Sequence, residues 1–193
     1  MFPSITQIFN GLILGLNLLR RRPLEDHLSN ILIKPIGLWH AIYVTSIIQI
    51  IAKLTILKAM VLEELSYRVI ISTIPITFTE LFVFSFFIYF LLNLMNKNSR
   101  YFIFIIPFLW LISLQNLLLL ITIILLMIFP SLTLLISLLA IIFSFQILIT
   151  QFLHARNSLD TTILICICIV IGNILVGLFV GLIDQTIYNI FNT

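Results

Sequence analysis

The stretch "YFIFIIPFLWLISLQNLLLLITIILLMI", residues 101–128, decides the fold of this chain. It contains no Asp, Glu, Lys or Arg, and most of its side chains are Ile, Leu or Phe. A helix of about 20 mostly apolar residues is long enough to cross the roughly 30 Å of hydrocarbon in a bilayer. The stretch exceeds that length, so it predicts a helix that crosses a lipid membrane.

The composition of the whole chain also indicates a protein that is surrounded by lipid. Of the 193 residues, 62% are hydrophobic and 9% are charged, and the mean hydropathy is +1.26. A soluble domain has about 45–50% apolar and about 25% charged residues. A water-soluble fold of this size would leave roughly a third of its chain surface exposed, which this composition cannot cover with polar groups. The lipid bilayer is therefore the expected partner, and no basic run with interleaved aromatic residues indicates a nucleic-acid partner.

Four further stretches are long and apolar enough to cross a membrane. Lipid-exposed backbone must satisfy its own hydrogen bonds, so each span is expected to be an α-helix. The runs are uniformly apolar and lack the in/out alternation of a membrane β-barrel. The predicted fold is all-α, an integral membrane bundle over residues 36–193 with five transmembrane helices at 36–57, 69–95, 101–128, 131–153 and 161–183.

The first 35 residues differ from the rest. On a helical projection Ile5, Ile8, Phe9 and other apolar residues share one arc, while Thr6, Gln7, Asn10 and Asn17 share the opposite arc. Such a helix is expected to lie in the membrane interface, although a sixth crossing helix is the alternative. A secretory signal peptide is not expected, because its positive charges would precede the apolar core. Here they follow it, as Arg20, Arg21 and Arg22.

The positive charges predict the orientation. With five spans, seven of the ten Lys and Arg residues fall on the side of the N-terminus and three fall on the other side. Positively charged loops stay in the cytoplasm. This predicts a cytoplasmic N-terminus and an exported C-terminus. Arg20, Arg21 and Arg22 serve either as topology signals or as contacts to anionic lipid headgroups.

Glu80 is the candidate functional residue, because an ionisable group inside a membrane span is costly and faces the bundle interior or water. Each span offers an amide or carboxyl side chain within about 5 Å of its midpoint, or slightly beyond for the fourth span, at 1.5 Å rise per residue. One interpretation is a layer of interhelical hydrogen bonds; the other is a proton or solute path centred on Glu80. The sequence allows an ion pair between Glu80 and Lys53 but does not imply one. The members of the predicted polar layer are Gln49, Glu80, Gln115, Asn116, Gln146 and Asn173.

Motifs of enzymes and metal sites are not found in the sequence. The chain has no phosphate-binding loop, no nucleophile elbow and no zinc-protease motif. We therefore expect no catalytic residues, no cofactor and no metal site. Cys166 and Cys168 lie in an apolar run and are expected to pack. Gly177 and Gly181 form a Gly-x-x-x-Gly motif, which permits close helix contact inside the bundle or in a dimer.

The pattern of the chain resembles the Yip1-like membrane proteins in their compact bacterial form. The resemblance rests on an amphipathic lead, "KPIGLWHAIY" (34–43) entering the first span, "IIPFLWLISLQN" (105–116) in the third, and "QFLHARNSLDTT" (151–162) leading into the fifth. It implies a cytosolic N-terminus and a short exported C-terminus. Eukaryotic members act in membrane traffic and bind small GTPases through longer N-terminal regions, and for bacterial members the resemblance implies no settled activity.

Two functions follow as hypotheses. The first is a non-enzymatic scaffold or partner subunit in a bacterial inner membrane, which organises membrane proteins or lipids. The second is a small transporter or channel subunit that uses the polar layer around Glu80. Other membrane proteins and a second copy of the chain are the candidate protein partners.

Overall fold

The computed structural model describes residues 2–20, 34–60 and 67–192, and within these ranges the regular structure is helical. Arg21 and Arg22 lie outside them, whereas Arg20 is an exposed residue directly after the first helix. Two short 3₁₀ turns, Asn98–Arg100 and Pro130–Leu132, precede the fourth and fifth of the described helices. These helices are α1 Ile5–Leu19, α2 Pro35–Met60, α3 Tyr67–Leu94, α4 Tyr101–Ile128, α5 Thr133–Leu159 and α6 Ile163–Asn192.

Five of these helices, α2 to α6, are long and apolar enough to cross a membrane. The all-α, five-span fold class predicted above is therefore confirmed, and the chain is a membrane-embedded, multi-pass protein. The helices run past several predicted span ends: α5 continues to Leu159 and α6 to Asn192. Counting apolar residues identifies the part of a helix that crosses the hydrocarbon. The helix itself can continue into the polar region beyond it.

α1 begins with a capping box. The Ser4 hydroxyl accepts from the backbone N–H of Gln7 at 3.2 Å, and the Gln7 side chain accepts from the backbone N–H of Ser4 at 2.8 Å. This reciprocal arrangement satisfies two of the backbone donors that a helix start leaves open. The helix has 15 residues, or about 22 Å, which is short of a full crossing. Its placement in the plane of the membrane stays a prediction.

The packed face of α1 is formed by Gly11, Leu14 and Gly15, which are buried. A Cβ atom at Gly15 would lie 2.9 Å from the backbone oxygen of Trp110, and one at Gly11 would overlap the Trp110 ring. The two glycines therefore let α1 approach α4 closely. Phe9, on the apolar arc of the projection, remains exposed and is available to lipid.

The first half of α4 is the centre of the bundle. Phe104, Phe108 and Trp110 are fully buried there, and α2, α1 and α5 all pack against this helix. Between α2 and α4 the hydroxyls of Thr45 and Ser113 are 2.6 Å apart, and the Ser113 hydroxyl donates to the carbonyl of Leu109 at 3.1 Å. Because these hydroxyl side chains are small and hydrogen-bond at the contact, the two helices can pack closely there. α3 pairs with α6 on the other side.

One end of the bundle is held by basic residues from the segment between α3 and α4. The Lys97 ammonium donates to the carbonyls of Leu159 and Asp160, and Arg100 donates to the carbonyl of Ser158 at 3.2 Å. The last carbonyls of a helix have no partner within it, so these bonds cap α5. Asp160 then turns the chain in the left-handed region, with φ of 48°. The α3–α4 and α5–α6 connections therefore lie at the same end of the bundle.

Candidate functional site

Glu80 lies where α2, α3 and α6 meet. The Gln49 side-chain amide of α2 donates to Glu80 Oε2 at 2.7 Å, and the Lys53 ammonium donates to the same oxygen at 3.2 Å. The other carboxylate oxygen, Oε1, faces α6, because a Cβ atom placed at Gly177 would lie 3.7 Å from it. The carboxylate is thus bonded to one neighbouring helix and packed against a second.

The spacing of the residues explains how α2 supplies two donors to one carboxylate. Gln49 and Lys53 are four residues apart and therefore share a face of α2. Gln49 and Glu80 each lie within about 4 Å of the midpoints of their spans, Pro35–Lys58 and Ile71–Leu94. Lys53 lies about one helical turn further along α2 and reaches back along its apolar stem. The side chains of Lys53 and Glu80 are 22% and 15% exposed, so the pair is not sealed from its surroundings.

Three buried oxygen atoms on the helix faces that carry this pair have no hydrogen-bond partner among the residues that the structure describes. They are Ser46 Oγ and Gln49 Oε1 on α2 and Thr77 Oγ1 on α3. Ser46 is three residues before Gln49, and Thr77 is three residues before Glu80, so both lie on the faces that carry the pair. Buried polar atoms are nearly always hydrogen-bonded, and an exception calls for an explanation such as a bound water or solute. We name Ser46, Gln49, Lys53, Thr77 and Glu80 the α2–α3 polar seam.

The rest of the predicted layer is not joined to the polar seam. Gln115 of α4 accepts a long hydrogen bond, 3.4 Å, from the side chain of Gln151 on α5. Gln146 is exposed on α5, while Asn116 and Asn173 are half-buried. In the described part of the chain none of these three side chains forms a hydrogen bond. The structure therefore joins Gln49 to Glu80 by a hydrogen bond and, among the described residues, shows no hydrogen bond from the other four to this pair.

The glycines of α6 differ in what they contact. Gly172 lies against the ring of Phe87 on α3, where an added Cβ atom would be 3.1 Å away, and Gly177 lies against Glu80. An added Cβ at Gly181 would have no atom within 4 Å. Within the described residues, Gly177 thus contributes to packing between α3 and α6, whereas Gly181 does not.

A buried histidine on α5 was not predicted to have a role. His154 Nε2 lies 3.0 Å from the carbonyl oxygen of Phe104, and the Ser158 hydroxyl lies 3.0 Å from Nδ1. A carbonyl can only accept, so the ring proton is on Nε2. The imidazole also stacks on the Phe104 ring, with centroids 5.3 Å apart. His154 escaped prediction because it lies just beyond residue 153, the predicted end of the fourth span. Gln151 lies inside that span but about 14 Å from its midpoint, away from the predicted polar layer.

Metal ligation is not supported by the arrangement of side chains. Among residues 2–20, 34–60 and 67–192, no three His, Cys, Asp or Glu side chains come together as a group that could hold a metal ion. Cys166 is buried and Cys168 is exposed, and both are free thiols.

Comparisons with protein-family models, with curated proteins and with solved structures found no match to this chain. The interpretation of the site therefore rests on its own geometry.

Proposed function

We propose that this chain is a non-enzymatic membrane scaffold or partner subunit that organises other membrane proteins or lipids. The observation that carries the proposal is the set of contacts that the Glu80 carboxylate makes with α2 and α6. Its carboxylate receives hydrogen bonds from Gln49 and Lys53 of α2 and packs against Gly177 of α6. A group engaged by two neighbouring helices fixes their arrangement, as expected of a protein that works as a rigid platform.

The proposal includes a location. We place the chain in a bacterial inner membrane as a Yip1-like protein, with its N-terminus cytoplasmic and its C-terminus exported. The support is the excess of Lys and Arg on the side of the N-terminus. Two of these residues, Lys97 and Arg100, are at the end of the bundle where α5 terminates. The family assignment rests on the sequence pattern alone.

A small transporter or channel subunit is the second candidate function. It is favoured by the buried oxygens of Ser46, Gln49 and Thr77, which lie on the helix faces that carry the Lys53–Glu80 pair and have no hydrogen-bond partner among the described residues. Water molecules or a small polar solute would satisfy these atoms. Ionisable groups inside membrane helices mark ion and proton pathways in many transporters.

Replacement of Glu80 separates the two functions. Glu80→Gln keeps a side chain that accepts a hydrogen bond from Gln49, whereas Glu80→Leu removes every polar contact. For a scaffold, the complexes captured by crosslinking in cells should survive Glu80→Gln and decline in Glu80→Leu.

Purified protein in vesicles provides the second measurement, with a pH-sensitive dye reporting proton flux. A scaffold should give the same flux in the wild type and in Glu80→Gln. A flux above that of empty vesicles that disappears in Glu80→Gln would overturn the scaffold and support the transporter.

A further inference from the structure

A regular stripe of exposed residues runs along α5 and the turn before it. Its apolar members alternate at spacings of three and four residues and are each between 46% and 60% exposed. Gln146 continues the same alternation and is also exposed. This is the spacing of the a and d positions of a heptad, which brings two helices together along a continuous seam. The stripe consists of Leu132, Leu135, Leu139, Ile142, Gln146 and Ile149.

The stripe is separate from the face by which α5 joins its own bundle. The buried residues of α5 include Ile147, Gln151 and His154. Gln151 and His154 face α4, where they contact Gln115 and Phe104. The stripe is adjacent to that face but points outward. An apolar surface alone would be ordinary in a membrane protein, because lipid covers it as well as another helix does. Gln146 is what distinguishes this surface.

Gln146 exposes an amide near the middle of its membrane span. It lies about 2 Å along the helix from the midpoint of the span Pro130–Leu159. Its side chain makes no hydrogen bond to any other residue that the structure describes. An amide without a partner in an apolar medium is costly, and polar side chains within membrane helices find partners across helix interfaces.

The geometry points to the α5 stripe as an interface with a second copy of this chain. A carboxamide carries both donors and an acceptor, so two Gln146 side chains satisfy each other across a two-fold axis. Two copies inserted in the same orientation, with that axis along the membrane normal, bring Gln146 and the partner subunit's Gln146 to the same depth. A single polar residue at an a position fixes the register of such a pair.

This interface goes beyond the proposed function and lies on a different helix from the α2–α3 polar seam. It does not depend on Glu80, so the two proposals fail independently. A monomeric protein would refute the interface and leave the Glu80 comparison unaffected.

Single cysteines along α5 test the interface directly. Cys166 and Cys168 are first replaced by Ala, and single cysteines are placed at Leu139, Ile142 and Ile149 on the stripe. Leu134 and Ile141, which are 77% and 55% exposed but lie off the stripe, provide the matched controls. The purified protein is reconstituted in phosphatidylethanolamine and phosphatidylglycerol vesicles and oxidised. We expect disulfide-linked dimers at the three stripe positions and few at the two controls.

The role of Gln146 is tested by two substitutions at a fixed protein-to-lipid ratio. Gln146→Leu should lower the dimer fraction about threefold or more, while Gln146→Asn, which keeps the amide, should retain most of it. Circular dichroism confirms that each variant is folded. Equal crosslinking at stripe and control positions would overturn the interface. So would purified protein that stays monomeric at every protein-to-lipid ratio.

Discussion

At the scale of single residues, the pair formed by Lys53 and Glu80 links α2 to α3. A carboxylate inside a membrane span is stabilised only when a cation or several hydrogen-bond donors lie against it. Lys53 and Gln49 provide both from one face of α2. The consequence is energetic coupling: the cost of losing one partner depends on whether the other is still charged.

A double-mutant cycle should detect this coupling. Lys53→Met removes the Lys53 ammonium from the carboxylate and should lower the free energy of unfolding by about 1–3 kcal/mol, less than for a fully buried pair because both groups are partly exposed. Glu80→Gln added to Lys53→Met should restore part of that loss. Unfolding of the purified protein by SDS in mixed micelles provides the measurement.

Lys58 supplies the control for this cycle. It is exposed near the end of the same helix. Lys58→Met should change the unfolding free energy by less than about 0.5 kcal/mol. Losses from Lys53→Met and Glu80→Gln that simply add in the double variant would contradict direct coupling between the two groups.

The members of the polar seam could be predicted only in part from the sequence. Gln49 and Glu80 were found because both are strong polar groups near the midpoints of apolar runs. Lys53 was left open, since its long side chain could equally extend away from the bundle centre. Ser46 and Thr77 gave no signal, because small hydroxyl residues are common in membrane helices and bond to their own backbone. Which polar groups meet depends on helix rotation, which uniformly apolar runs do not encode.

At the scale of elements, the contact of α1 with α4 shows how small residues select a packing face. The apolar and polar arcs of α1 predicted its amphipathic character. The face that packs contains Gly11 and Gly15, which lie between the two arcs, and Leu14, which lies on the polar arc. Hydrophobic patterning could not identify it, because the contact depends on close backbone approach and not on apolar area.

Gly15→Ala should test this contact. The new Cβ atom would lie 2.9 Å from the backbone oxygen of Trp110, and a backbone atom inside a packed helix cannot move aside cheaply. We expect a loss of about 1–3 kcal/mol in unfolding free energy, as in other overpacked cores. The same SDS titration in mixed micelles measures it.

Gly181→Ala is the matched control on α6, since its added Cβ atom would meet no atom of the described residues within 4 Å. It should be neutral or slightly stabilising, because alanine favours the helix over glycine. If the two alanine variants have equal stability, the close approach of α1 to α4 does not contribute to the fold.

At the scale of the whole molecule, five long apolar helices follow from the composition and the run lengths, and the sequence predicted them. Their neighbour relations were not predictable in this way. α4 occupies the centre, and α3 pairs with α6. Lipid-facing and buried positions on such helices carry the same residue types. The order of packing is therefore set by a few contacts, such as Thr45 with Ser113 and His154 with Phe104.

The sidedness of the bundle makes a topological prediction. Lys97 of the α3–α4 connection contacts the carbonyls that end α5, so the two connections share one end of the bundle. With five crossings, alkaline phosphatase fused after Thr193 should be active. Fused after Asn98 or after Asp160, it should be inactive, because these positions are expected in the cytoplasm.

Green fluorescent protein at the same three positions serves as the complementary reporter. It should be fluorescent after Asn98 and Asp160 and dark after Thr193. Opposite activities at Asn98 and Asp160 would contradict the shared end that the Lys97 contact requires. An inactive phosphatase after Thr193 would mean an even number of crossings.

The glycine contact between α1 and α4 also affects the order of assembly during synthesis of the chain. About 95 residues separate Gly15 from Trp110, and a ribosome adds roughly 5–20 residues per second. After α1 emerges, its docking surface on α4 is missing for roughly 5 to 20 s. During that interval the membrane surface is the expected support for the apolar arc of α1, whose Ile5 and Phe9 stay exposed even after α1 docks. We expect the amphipathic character of α1 to hold the nascent chain at the membrane surface until α4 is complete.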